Sequence, residues 1–125
     1  MAYVGSLAAV MAALGVLLGA FGAHGLEAQL EALGTTETWK TASFYHLLHA
    51  LGAWVLTREG DPVKRRAMGR AGLSMLVGVL LFSGSLYALA LGGPRWLGPI
   101  TPLGGSLFVI AWGVVAYVLW PSRSK

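Results

Sequence analysis

Four apolar stretches alternate with short polar ones along the chain, at about residues 3–23, 39–57, 71–91 and 103–120. Each is roughly 17 to 21 residues long, or about 26 to 32 Å of α-helix, which matches a hydrocarbon core of about 30 Å. Short connections predict antiparallel neighbours. The pattern therefore predicts an all-α integral membrane protein: one four-helix transmembrane bundle spanning residues 1–125.

The connections carry their own signals. Leu26, Leu30 and Leu33 repeat at i, i+4 and i+7, with Glu27, Gln29 and Glu31 between them. This predicts a short amphipathic helix on the membrane surface between spans one and two, with Gly34 ending it. Thr35 or Thr36 can cap the next helix, and Glu37 suits its first turn. Residues 58–70 form a polar run with Gly60-Asp61-Pro62 as its turn, which predicts a loop. Gly92-Gly93-Pro94 breaks span three, and Pro121 stops span four.

Within each span the residues divide by face. In span one, Gly5, Ala8, Ala12, Gly15, Gly19 and Gly22 lie on one side and Leu7, Val10, Leu14, Leu17 and Phe21 on the other. Span three places Ser74 and Gly78 on a similar face. Small residues at this spacing let two backbones approach closely in lipid. The expected partner is another helix of the same chain, with a homodimer seam as the alternative.

Composition strengthens the membrane reading. The chain has 125 residues, 56% hydrophobic and 11% charged. Soluble domains carry about 25% charged residues. Cysteine is absent, which excludes disulfides, thiolate catalysis and cysteine metal sites. The net charge of +4 does not point to nucleic acid. Its basic residues concentrate in the 58–70 run and at the C-terminus, which is a topology signal. Placing Arg58, Lys64, Arg65, Arg66 and Arg70 in the cytoplasm, with Arg123 and Lys125, leaves only Lys40 and Arg95 outside. Both termini are then cytoplasmic. Trp39 and Trp96 are expected at the outer interface, and Tyr3, Trp54, Tyr117 and Trp120 at the inner one. The first residues carry no Lys or Arg, which argues against a cleaved signal peptide. Lys64, Arg65 and Arg66 are also candidates for contact with anionic lipid headgroups.

This topology gathers most polar side chains at one depth. His24, Ser43, His46, His49, Ser83, Ser85, Tyr87, Thr101 and Ser106 all fall toward the outer side. Unpaired polar groups are costly in hydrocarbon, so they are expected to face one another inside the bundle. Four readings compete for the cluster. It can join helices by hydrogen bonds, or form a pocket for a lipid, quinone or other small molecule. His24, His46 and His49 can form a metal or haem site, although no carboxylate joins them at helical spacing. Ser83 or Ser85 with a histidine can form a hydrolase, although no oxyanion motif is evident. A non-catalytic accessory subunit of a larger complex is the rival from another class. Trp112, mid-span, needs a partner for its N–H. The sequence identifies no cofactor.

The residues GAFGAHGL (Gly19–Leu26), W-x-TA-x-x-YH-x-x-HAL (Trp39–Leu51), LFSGSLY (Leu81–Tyr87) and GPITPLGG (Gly98–Gly105) resemble the YgdD-like family of small bacterial membrane proteins, domain-of-unknown-function family 423. The resemblance covers nearly the whole chain. It implies a four-helix protein of the bacterial inner membrane, and it supplies no reaction, ligand or catalytic residue.

Overall fold

A computed structural model describes residues 2–122. Five α-helices make up most of it: α1 (Val4–Ala23), α2 (Glu27–Leu33), α3 (Thr36–Leu56), α4 (Pro62–Ala90) and α5 (Ile100–Leu119). A 3-10 turn, Arg95–Leu97, precedes α5, and the described residues contain no strand. Three stretches are long and apolar enough to cross a membrane: Val4–Ala23, Pro62–Ala90 and Arg95–Leu119. α3 is equally long but carries Glu37, Lys40, Ser43, His46 and His49, and is too polar to join that set. Arg123 and Lys125, which contribute to the topology signal, lie outside the described residues.

The helices pack in chain order. α1 lies on α3, α3 on α4 and α4 on α5, with a smaller contact between α1 and α4. Small residues make the close approaches. A Cβ on Gly5 would meet Thr57, one on Gly15 would meet Leu47 and His46, and one on Gly22 would meet the Trp39 indole. Ala8 is fully buried on the same face, and Ala12 is half-buried. Gly19 has open space beside it. Across the α4–α5 seam, Gly78 sits against Phe108 and Gly104, and Ser74 Oγ donates to Leu107 O at 3.1 Å.

The core has three layers. At the end carrying the chain termini it is apolar, with Val4, Ala8, Ala53, Met68, Met75 and Ala111 among its members. At the opposite end Leu30, Trp39 and Ala90 form a smaller apolar cluster. Ser43, His46, His49, Ser83 and Ser85 are buried between them.

Two local expectations change. The 58–70 run is not a loop over most of its length, because α4 begins at Pro62. Asp61 Oδ1 accepts a hydrogen bond from Val63 N at 2.9 Å, and Pro62 occupies the first turn. An Asp cap followed by Pro starts a helix, and Lys and Arg are good helix formers. Met68, Gly69 and Ala71 turn inward, which leaves Arg65, Arg66 and Arg70 exposed. Trp39 is not an interfacial anchor either. It is 3% exposed, packs at a tilt on Tyr87 and donates its indole N–H to Leu18 O at 2.8 Å. Gly22 makes the room for it.

The α1–α3 connection is held where it meets α3. Gly34 closes α2 at φ 69°, a left-handed conformation that suits glycine. Thr35 precedes α3 but makes no cap bond; its Oγ1 donates to Ala90 O at 2.6 Å. That carbonyl is among the last four of α4, which lack partners within their own helix. Thr35→Val should cost about 1 kcal/mol. Thermal unfolding of the detergent-solubilised protein will read this as a lowered midpoint.

Candidate functional site

α3 supplies most of the buried polar layer, and its two histidines serve different seams. His46 turns toward α1 and α4. Its Nε2 lies 2.7 Å from Met11 O, which can only accept, so the proton is on Nε2. In a neutral ring Nδ1 then accepts, and its neighbour is the Tyr87 hydroxyl at 3.0 Å. Ser43 Oγ is 3.3 Å from the same hydroxyl and completes the chain. The network thus ties three helices through one imidazole.

His49 lies one turn further on and faces α5. Its Nδ1 is 2.8 Å from Tyr45 O and carries the proton. Its Nε2 accepts from Trp112 Nε1 at 3.1 Å, which is the partner that the Trp112 indole requires. The two rings therefore hold opposite tautomers. The His49 ring also stacks on Phe108, with centroids 3.6 Å apart and planes 8° from parallel.

The remaining candidates pair elsewhere. Ser83 Oγ donates to Ala42 O at 2.7 Å, across the α3–α4 seam. Ser85 Oγ and Thr101 Oγ1 share a bond of 2.6 Å between α4 and α5, and Ser85 Oγ is also within 2.9 Å of Phe82 O. Ser106, on the surface of α5, donates to Pro102 O. His24 is the outlier: it follows α1 and is exposed, away from the other histidines. No group of three His, Asp or Glu side chains among the described residues could hold a metal ion. The His24–His46–His49 set is therefore not assembled, because His46 and His49 commit their ring nitrogens to separate partners while His24 sits on the surface. No serine hydroxyl meets a histidine nitrogen directly in these bonds, and Tyr87 stands between Ser43 and His46.

Every buried side-chain nitrogen and oxygen among the described residues has a partner. The His46 network is thus closed, although a small cavity of about 150 Å³ opens beside Ser43, Gly19 and Lys40. His49 differs because it also forms part of a wall. A groove of about 740 Å³ runs between α3 and α5, with Tyr45, His49, Phe82, Phe108 and Trp112 along it. The aromatic rings meet one another: Tyr45 and Phe82 centroids are 4.8 Å apart, and Phe82 and Phe108 are 5.4 Å apart. Tyr45 and Phe82 belong to the family motifs and Phe108 does not, but none of the three is among the polar candidates that the sequence pattern gathers. Tyr45 and Phe82 stand one turn or less from His49 and Ser85 in sequence, but α3 and α5 must both pack on α4 to bring the rings together.

At the other end, Arg58, Arg65, Arg66 and Arg70 line a larger cavity between α1, α3 and α4, while Lys64 does not reach it.

Comparison with known proteins places the chain in a family. The family model described as "Protein of unknown function (DUF423)" matches residues 18–105. The UPF0382 membrane protein YwdK of Bacillus subtilis is 45% identical over 107 residues, which covers 85% of this chain and 86% of that protein. The UPF0382 membrane protein SERP0230 of Staphylococcus epidermidis is 42% identical over 109 residues, covering 87% and 88%. A UPF0382 membrane protein of Schizosaccharomyces pombe is 32% identical over 115 residues, covering 88% and 95%, so the likeness extends beyond bacteria. No solved structure matches the chain. With three apolar helices of membrane-spanning length and a match over most of its residues, the chain is a helical membrane protein of the DUF423 family.

Proposed function

We propose that this protein spans the bacterial inner membrane four times, with both termini cytoplasmic, and holds the acyl chain of a lipid or a comparable apolar molecule in the groove between α3 and α5. α3 is the fourth span in this reading. Glu37 and Lys40 stay exposed at its outer end, while Ser43, His46 and His49 face α1, α4 and α5, so the bilayer meets Phe44, Leu48, Leu51 and Val55, which are exposed. α2 then rests at the outer interface, with Leu30 buried and Glu27 and Glu31 outward.

One observation carries the binding role: a groove of about 740 Å³ walled by aromatic rings, with a hydrogen-bonded His49–Trp112 pair in its lining. Ligand sites commonly enclose about 300–1,000 Å³ and combine apolar walls with few polar groups. Ser43, His46, Ser83, Ser85, Tyr87 and Thr101 act behind it as the hydrogen-bonded interior that holds the helices in register, and His24 takes no part.

Gly105 supplies the test. It lines the groove, and a Cβ there would meet only the Phe82 ring, at 3.6 Å, an ordinary separation. Gly105→Leu should intrude into part of the groove and leave the fold intact. Native mass spectrometry should then show about tenfold less lipid retained by the variant than by the parent, the scale expected when about two methylene groups of the lipid no longer find an apolar wall. Equal retention would remove the groove from consideration. Crosslinking in native membranes addresses the rival reading, since an accessory subunit should bring down a larger protein partner.

A further inference from the structure

α1, α3 and α4 do not close completely at the end that carries the termini. A cavity of about 1000 Å³ lies between them, bounded by Gly5, Ser6, Trp54, Arg58, Arg66 and Arg70. α1 contributes small residues here, which leave the space open. α3 and α4 contribute cations.

The charges around this cavity are unbalanced. Arg66 and Arg70 stand one turn apart on α4, where like charges repel. Arg65 also lines the cavity and directs its guanidinium to the loop carbonyls, with Nη2 3.1 Å from Gly60 O. The Arg58 guanidinium lies over the Trp54 ring, 5.6 Å from its centroid. Two acids are near in sequence, and neither forms an ion pair with these arginines. Glu59 accepts from Asp61 N, and Asp61 caps α4. Among the described residues the one ion pair is Lys40–Glu37, near the other end of the molecule. Four guanidiniums thus border a shared space without a counter-charge from the described residues.

We propose that this cavity is a phosphate site, and that the phosphate belongs to the headgroup of an anionic phospholipid. Arginine presents planar, forked donors that suit phosphate oxygens. The cavity sits where α4 emerges from its apolar segment, at headgroup depth for a helix that crosses the bilayer. Its volume accommodates a glycerophosphate group with water. Ser6, exposed on α1, offers a further hydroxyl on the opposite wall. The site is independent of the α3–α5 groove, which lies toward the other end and is apolar.

The test uses the full chain in phosphatidylcholine nanodiscs with and without phosphatidylglycerol. Native mass spectrometry should show phosphatidylglycerol retained in preference to phosphatidylcholine. Arg66→Gln with Arg70→Gln should lower that preference about tenfold, since each cation near a membrane surface contributes about a fivefold attraction at most. Arg66→Lys with Arg70→Lys should keep most of it, and Lys40→Gln, at the other end, should keep all of it. These arginines are exposed, and thermal unfolding will confirm that the double variants still fold. A second arm adds glycerol 3-phosphate to the protein in pure phosphatidylcholine. Stabilisation of the parent but not of the glutamine variant would support the site and make its ligand a soluble phosphate. Retention of phosphatidylglycerol unchanged by the glutamine pair, with no response to glycerol 3-phosphate, would overturn the proposal.

Discussion

Gly104→Leu should unseat α5 from α4. The glycine is buried, and a Cβ built on it falls against the backbone nitrogen of Phe82, with Gly78 O at 2.7 Å and Phe82 Cα at 2.8 Å. These are main-chain atoms, so no rotamer change relieves the clash and the helices themselves must separate. Separation would disturb the Ser85–Thr101 bond and the Ser74–Leu107 bond that span the same seam. Overpacking typically costs about 1–3 kcal/mol, and a backbone clash belongs at or above the top of that range. The expected result is a protein that unfolds at a much lower temperature in detergent, or that fails to accumulate. Gly113→Leu is the control, because nothing lies within 4 Å of its Cβ position and α5 should tolerate it. Equal unfolding midpoints for the two variants would refute the close α4–α5 packing.

His46→Leu should be nearly as damaging, for a different reason. The ring fills space between three helices and answers both Met11 O and the Tyr87 hydroxyl. Leucine leaves that hydroxyl without its principal partner in the interior, a loss of about 1–3 kcal/mol. Adding Tyr87→Phe removes the orphaned group as well. The double variant should therefore be more stable than His46→Leu alone, and a double-mutant cycle will measure the coupling. Strict additivity of the two changes would show that His46 and Tyr87 do not interact.

Much of this architecture can be read from local chemistry. The long helices, three of them apolar enough to cross a membrane, the Leu26–Leu30–Leu33 helix and the Gly34 stop rest on periodicity and on backbone permissiveness, which neighbours in a sequence display directly. The start of α4 is harder to see, because a dense run of Arg and Lys resembles a loop even though Asp61-Pro62 spells out a helix cap. Trp39 suggests the interface because isolated tryptophans near a span end usually sit there. Its burial depends on Gly22, 17 positions away, meeting it across the α1–α3 seam, and only packing reveals that.

Five members of the polar cluster, Ser43, His46, His49, Ser83 and Ser85, are buried together, while His24 and Ser106 are exposed, and none of the arrangement is legible in advance. Shared depth follows from topology, but three residues along a helix rotate a side chain by about 60° from the starting face. That rotation is enough to send His46 to α1 and His49 to α5. The α3–α5 groove and the arginine cavity are less accessible still. Each is a void, and a void is defined by what its neighbours lack: the missing side chains of Gly105 in one case and of Gly5 in the other.

The arrangement of α3 has a consequence for how the protein is made. A ribosome delivers this segment when α1 has already emerged and α4 has not. On the four-span reading, a helix with two imidazoles and a Lys–Glu pair enters lipid poorly by itself. The carbonyl of Met11 is by then on hand to receive the proton of His46, whereas Tyr87 and Trp112 arrive later. Insertion would thus proceed by pairs, the first hairpin entering as a unit with its half-completed hydrogen bonds finished by the second.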